Sequence, residues 1–143
     1  MLVRLNNRLI PDYWPTIKEA VRECVPGTAD MFPDRMAKLL EAALTECVQC
    51  WILVQDEQLL GVAVTKIGED ELSGQSCFLI YALKFFGTVK GQIRTDAWNG
   101  LCDYARSVGC RCMTAFCSSP MVANAAVKMH GNGEVYHYML FPV

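Results

Sequence analysis

The spacing of apolar positions changes period several times along the chain, and each change marks an element. Residues 2–6 suit a short first strand. Ile17, Val21 and Cys24 then recur at helical spacing with Trp14 just ahead, and Pro15 suits a first helical turn, where proline's missing N–H costs nothing. Pro26-Gly27 stops that helix. Met36, Leu39, Leu40, Ala43, Leu44 and Cys47 follow the i, i+3, i+4, i+7 rule and predict a second helix from about Pro33. The period then shortens. Trp51–Val54 and Leu59–Thr65 read as two strands joined by a tight turn at Asp56-Glu57-Gln58, a hairpin.

Gly68 to Gln75 is polar and loop-like, and Cys77–Leu83 is apolar on both faces, as an inner strand would be. Lys84 to Thr95 is a basic, glycine-containing loop. A third helix is expected from about Asp96 to Val108, with Trp98, Leu101, Cys102, Ala105 and Val108 inward and Gly109 as its C-cap. Arg111–Cys117 reads as a strand. A short helix opened by Ser118-Ser119-Pro120 runs to about Met129, His130-Gly131-Asn132-Gly133 breaks it, and Glu134–Phe141 reads as a last strand. The order β-α-α-β-β-β-α-β-α-β implies an α/β domain: a mixed sheet with helices on both faces.

Composition narrows the function classes. With 143 residues, 52% hydrophobic and 20% charged, the chain is expected to form one domain over 1–143 with its own core. A net charge of -2 argues against nucleic acid as the main partner, because phosphate contacts need a basic face. No apolar run approaches the roughly 20 residues that span a bilayer, and Met1–Trp14 lacks a secretory apolar core, so neither membrane nor export is expected. The eight cysteines then read as reduced, mostly buried small hydrophobes of a cytoplasmic protein.

Two arrangements could still carry chemistry of their own. Cys47, Cys50, Cys110 and Cys112 could supply four thiolates to zinc, but Cys110-X-Cys112 lacks the usual two-residue gap, so no metal site is expected. His130 fits a helix C-terminus, and His137 lies between two tyrosines; either could act as a base near neutral pH.

Two segments carry a family likeness. Trp51-Ile-Leu-Val-Gln-Asp-Glu-Gln-Leu-Leu-Gly-Val-Ala-Val-Thr65 resembles the second and third strands of the GNAT superfamily of N-acetyltransferases, with Gly61 at the usual glycine after the turn. Trp98-Asn-Gly-Leu-Cys-Asp-Tyr-Ala-Arg-Ser-Val-Gly-Cys-Arg-Cys-Met113 is similar to that family's helix, Gly-Cys and strand segment, and the spare pattern is closest to small GNAT-like proteins of phages and prophages.

The resemblance implies a mostly antiparallel sheet and acetyl-CoA as cofactor. It places Tyr81, Ala82 and Leu83 along the pantetheine and Gly87, Thr88, Lys90, Gly91 and Arg94 around the pyrophosphate, with Asn124 on the late helix. An unidentified small-molecule or protein amine would be the acceptor, and Tyr81, Glu57 and Glu69 are the candidate catalytic groups. Glu69 lies in the acidic run Glu69-Asp70-Glu71, which would attract a cationic amine. A homodimer is a further implication.

The chain departs from the family pattern twice. The pyrophosphate signature (Arg or Gln, two residues, Gly, one residue, Gly or Ala) has no clean copy, and position 127 is Val with no general-acid tyrosine after it. These departures leave a second expectation open: a catalytically inactive GNAT-like binding or assembly module.

Overall fold

The computed structural model describes residues 1–25, 32–117, 119–137, 139 and 141–143, with Phe32 as backbone alone. Its elements in chain order are β1 (Leu2–Arg4), α1 (Ile10–Cys24), α2 (Phe32–Leu44), β2 (Gln49–Gln55), β3 (Gln58–Glu69), β4 (Ser76–Phe85), α3 (Gly91–Ser107), β5 (Cys112–Ala115) and α4 (Pro120–His130). The expected stop at Pro26-Gly27 and the helix opener Ser118 lie outside the described residues.

The strands form one sheet in the order β1-β2-β3-β4-β5. The first four pair antiparallel and β5 runs parallel to β4. A two-residue turn at Asp56 and Glu57, with φ of 50° and 61°, closes the β2–β3 hairpin, the twist that suits strands joined this tightly. A parallel neighbour demands a crossover, which α3 supplies.

Both sheet faces are covered, which is why β2 and β3 read as near-continuous apolar runs. Cys50, Ile52, Val62, Val64 and Ala82 pack with Ile17, Val21, Met36 and Ala43 of α1 and α2. Trp51, Ala63, Phe78 and Ile80 pack with Leu101 and Ala105 of α3. A polar chain is sealed into the sheet: the Trp51 indole donates to Thr65 Oγ1 at 2.9 Å, and that hydroxyl donates to Gln49 Oε1 at 3.1 Å, all three residues being buried. Thr65→Val keeps the shape but orphans one donor and one acceptor. It is expected to lower the unfolding free energy in urea by about 2–4 kcal/mol.

Several boundaries differ from the sequence expectation. The first helix starts at Ile10, where Asn6 Oδ1 accepts from the Arg8 and Leu9 amides, so Pro15 lies inside the helix rather than in its first turn. Pro15 and Pro11, whose carbonyl Pro15 leaves without a helical partner, are both solvent-exposed, so water can serve that group. The third helix begins at Gly91, five residues before Asp96, because Ile93 and Ala97 continue its apolar stripe. The last expected strand is corrected: the described residues of 134–143 make no ladder pairing, while Tyr138 and Leu140 lie outside the described residues. Alternation specifies which side chains share a face but supplies no partner, and Val135, Tyr136, Met139 and Phe141 stay exposed.

The acidic loop between β3 and β4 is internally tied. Asp70 Oδ2 accepts from Ser73 Oγ at 2.7 Å and from the Ser73 amide at 2.8 Å. These bonds, the side-chain one first, hold the Asp70 carboxyl below its usual pKa. Because the folded value lies below the unfolded one, this contribution is complete above the unfolded value of about 3.9 and is lost as pH falls through the folded value. Acidification below about pH 4 is therefore expected to loosen 70–75 before the core. Faster exchange of the Gly74 amide, which donates to Asp70 O at 2.7 Å, would report it.

Candidate acyl-donor site

The site follows from unequal strand lengths. β5 pairs with β4 only from Cys77↔Cys112 to Ile80↔Ala115, yet β4 continues through Tyr81 to Phe85. Among the described residues, β4 along that stretch has a partner on its β3 side alone. The Phe86 amide donates to Leu60 O at 2.9 Å, just beyond the Gly61↔Phe85 pair, so by antiparallel alternation the peptide groups of Leu83 and Phe85 face away from β3 and into the opening.

A bulge sharpens the opening. Val64 pairs with Ala82 and Thr65 with Ile80, leaving Tyr81 as the extra residue. Tyr81 and Ala82 consequently both pack towards α1 and α2, whereas Leu83 packs towards α3. Gly61 makes a close approach on the neighbouring strand, where a Cβ would sit 2.7 Å from the Lys84 carbonyl oxygen.

Past Phe85 the chain turns at Gly87, with φ of 61°, anchors through buried Val89 and starts α3. No side chain caps α3 at Lys90, and no acidic residue occupies its first turn. The Arg94 amide, donating to Lys90 O at 3.2 Å, makes the first helical bond, so the N–H groups of Gly91, Gln92 and Ile93 point outward from a positive helix end. Thr88, Lys90 and Arg94 are exposed beside it.

The remaining candidates divide by position. Glu57, exposed in the β2–β3 turn, shares the sheet end where Gly61 pairs with Phe85. Glu69 pairs with Ser76 at the far end of β4, about 30 Å from Phe85 at strand rise, and is not brought to the opening. Asn124 is exposed on α4, an element with no buried residue and, among its described residues, no tyrosine. The α4 helix docks on α3 through the Trp98 indole, which donates to His130 Nδ1 at 3.2 Å. Tyr136 donates to Glu134 Oε2 at 2.5 Å in the exposed tail, and that bond raises its phenol pKa. His137 is exposed there and not in a strand.

The cysteines separate too. All eight are free: Cys50, Cys77 and Cys102 are buried, Cys24, Cys110 and Cys112 half-buried, and Cys47 and Cys117 exposed, so fewer are core residues than the sequence suggests. Cys50 on β2 and Cys112 on β5 have two strands between them, roughly 14 Å at sheet spacing, so the four-thiolate arrangement is not assembled. Burial pushes the Cys50 thiol up to about 11. Cys112 is pushed up to about 12 by burial first, then by contact with Cys77.

The sequence reading missed the bulge, the vacated strand edge and the Cys24 thiol beside it. The Cys24 sulfur lies 4.0 Å from Leu83 O. A hollow of about 220 Å³ lined by Leu2, Leu53, Gln55, Ile93, Asp96 and Ala97 lies between β1, β2 and the first turns of α3.

As a sequence the chain matches no family model and no curated protein. Solved structures do match its shape. A predicted acetyltransferase from Clostridium acetobutylicum with acetyl-CoA aligns at TM-score 0.70 and 13% identity, over 99% of this chain and 95% of that one. The aminoglycoside N-acetyltransferase AAC(6')-Iy, in complex with a CoA-containing bisubstrate analogue, aligns at 0.69 and 13%, over 100% and 97%. A ribosomal-protein-alanine N-acetyltransferase from Brucella melitensis aligns at 0.69 and 11%, over 100% and 99%. At these identities the likeness is one of architecture, and it agrees with the mixed, mostly antiparallel sheet and the order of strands and helices. The chain has the fold of the GNAT N-acetyltransferases.

Proposed function

We propose that this chain is an acetyl-CoA-dependent N-acetyltransferase, and the observation that carries the reading is the vacated β4 edge running directly into an uncapped helix start. Acetyl-CoA, when bound, supplies the acetyl group as a thioester. The peptide groups of Leu83 and Phe85 offer strand-like hydrogen bonds to its pantetheine amides, a use of free strand edge that any extended amide chain can satisfy. Free N–H groups beside the thioester would polarise its carbonyl. The N–H groups of Gly91, Gln92 and Ile93 fit the pyrophosphate, with Gly87 and Thr88 allowing close backbone approach and Lys90 and Arg94 adding positive charge.

The acceptor is an amine on a small molecule or a protein, attacking the thioester directly. It must lose a proton first. Glu57 shares the sheet end with the opening and is the first candidate for that base, with Tyr81 at the bulge the second. Glu69 acts, on this reading, by attracting a cationic acceptor from the far end. Asn124 of α4 and a homodimer belong to the same proposal.

One observation favours a second reading. The absence of a tyrosine from the described residues of α4 removes the family's usual proton donor, as expected of a catalytically inactive binding or assembly module of phage or prophage origin. Calorimetry with acetyl-CoA, followed by detection of free CoA thiol in the presence of an amine panel, separates the two. Saturable binding below about 1 mM, an upper value for typical substrate KM, together with thiol release supports the enzyme. Binding without turnover supports the module, and no heat at millimolar acetyl-CoA would sink the cofactor reading altogether.

A further inference from the structure

The docking of α4 on α3 centres on one imidazole. No side chain of α4 is buried. Its last residue, His130, accepts at Nδ1 from the Trp98 indole N–H at 3.2 Å, and the two rings meet edge to face with centroids 5.9 Å apart. The buried Cys102 sulfur, one turn further along α3, lies 3.9 Å from the same nitrogen. One turn earlier, Thr95 Oγ1 lies 3.7 Å from Met129 Sδ, a weak acceptor. An indole nitrogen can only donate. Nδ1 must therefore be bare, and the ring is neutral with its proton on Nε2.

We propose that His130 is a proton-operated latch: the neutral ring fastens α4 to α3, and the imidazolium releases it. Histidine is the side chain whose charge changes between about pH 5 and 8. A proton on Nδ1 sets one N–H against another, and the bond to Trp98 is lost. Cys102 gives no substitute. Burial raises its pKa, so it stays a thiol, and thiol sulfur is a weak acceptor. The released form holds one proton more than the docked form. Docking is therefore complete above the histidine range and is lost as pH falls through it.

The charges around the ring offer a cation no replacement. On α3, Arg94 stands one turn before Trp98 and Arg106 one turn after Cys102. The carboxylates of α3 are engaged within their own helix: Asp96 accepts from Gln92 Nε2 at 2.8 Å and Asp103 from Arg106 Nη1 at 2.8 Å. On α4, Lys128 adds a further positive charge two residues away. In the segment that follows, Glu134 accepts from Tyr136, and His137 is exposed. The negative C-terminal end of α4 favours a charged ring whether the helix is docked or not, so it does not set the direction. Because α4 follows β5, which borders the β4 edge, its release loosens one wall of the opening. That consequence rests on the acetyl-CoA reading, whereas the latch itself does not.

The test is hydrogen exchange of the whole chain at about pH 5 and about pH 8, the ends of the histidine range, corrected for the intrinsic pH dependence of amide exchange. In acid the α4 amides should lose protection about fivefold, the weight of one neutral hydrogen bond, while β2 to β4 keep theirs. His130→Asn supplies a side-chain oxygen in place of Nδ1 that mild acid does not protonate, and should stay docked at both pH values. Trp98→Phe removes the donor and should leave α4 equally loose at both. Equal protection of wild-type α4 at the two pH values overturns the latch. So does a His130→Asn chain that loosens in acid as the wild type does, since another group would then carry the titration. The Trp98 indole proton of the wild-type chain gives a second readout that needs no variant: a resonance that moves with pH marks the broken bond, and a fixed one overturns it. Acetyl-CoA binding that weakens in acid for the wild type and not for His130→Asn supports the loosened wall, and equal weakening overturns that consequence. If acetyl-CoA binds at neither pH, the acetyltransferase reading fails, and exchange still decides the latch.

Discussion

Gly91→Glu is expected to stabilise the protein and to weaken acetyl-CoA binding about 100-fold. The position is exposed, with nothing within 4 Å of an added Cβ, and it is the first residue of α3. Replacing glycine in a helix with a better former, and placing a carboxylate in a first turn that has no acidic residue, each add up to about 1 kcal/mol of stability. The same carboxylate would face the pyrophosphate of the proposed acetyl-CoA. Two phosphate charges about 6 Å away at an effective dielectric near 40 cost about 3 kcal/mol of repulsion, or two orders of magnitude in affinity. A higher melting temperature with lost binding is a signature that misfolding cannot imitate. A higher melting temperature with unchanged binding would mean that the helix start is not the anion seat.

Phe78→Ala should be among the most damaging single truncations. Phe78 is fully buried in β4, among the largest side chains so enclosed, and its ring lies 5.7 Å from that of Tyr104 on α3. Losing the ring removes its transfer energy and leaves a cavity between sheet and helix, together about 3–5 kcal/mol. Domains of this size have about 5–15 kcal/mol in all, so the urea midpoint should fall by about a fifth or more. A loss below about 1 kcal/mol would contradict the packing of α3 on this face.

The parts legible in the sequence are those where side chains declare their own periodicity. The hairpin, the inner strand near position 80 and the helix carrying Leu101 and Ala105 all follow from apolar spacing, because both faces of this sheet are buried. Features set by backbone pairing were not legible. Tyr81 to Phe85 looks like Cys77 to Ile80 in composition, and only the length of β5 decides that one half has two neighbours and the other half one. The bulge at Tyr81 costs no change of residue type. Glu69 looked as suitable as Glu57 because the sequence does not show that β3 runs on for twelve residues and carries it to the other end. Proline 15 misled for a related reason: its tolerance inside α1 depends on which side of the helix faces water.

The strands β2, β3 and β4 follow one another through short turns, whereas β5 joins only after a seventeen-residue helix and pairs through four residues. Short-range hairpins close at little entropic expense, and a parallel ladder must wait for its long connection. Native-state hydrogen exchange should accordingly divide the amides into two cooperative units, the meander protected to the global limit and the β5–α4 unit releasing at lower energy. The unit that opens first also forms one wall of the opening, so sub-global breathing, rather than complete denaturation, would set how often the proposed thioester finds the groove wide enough to thread.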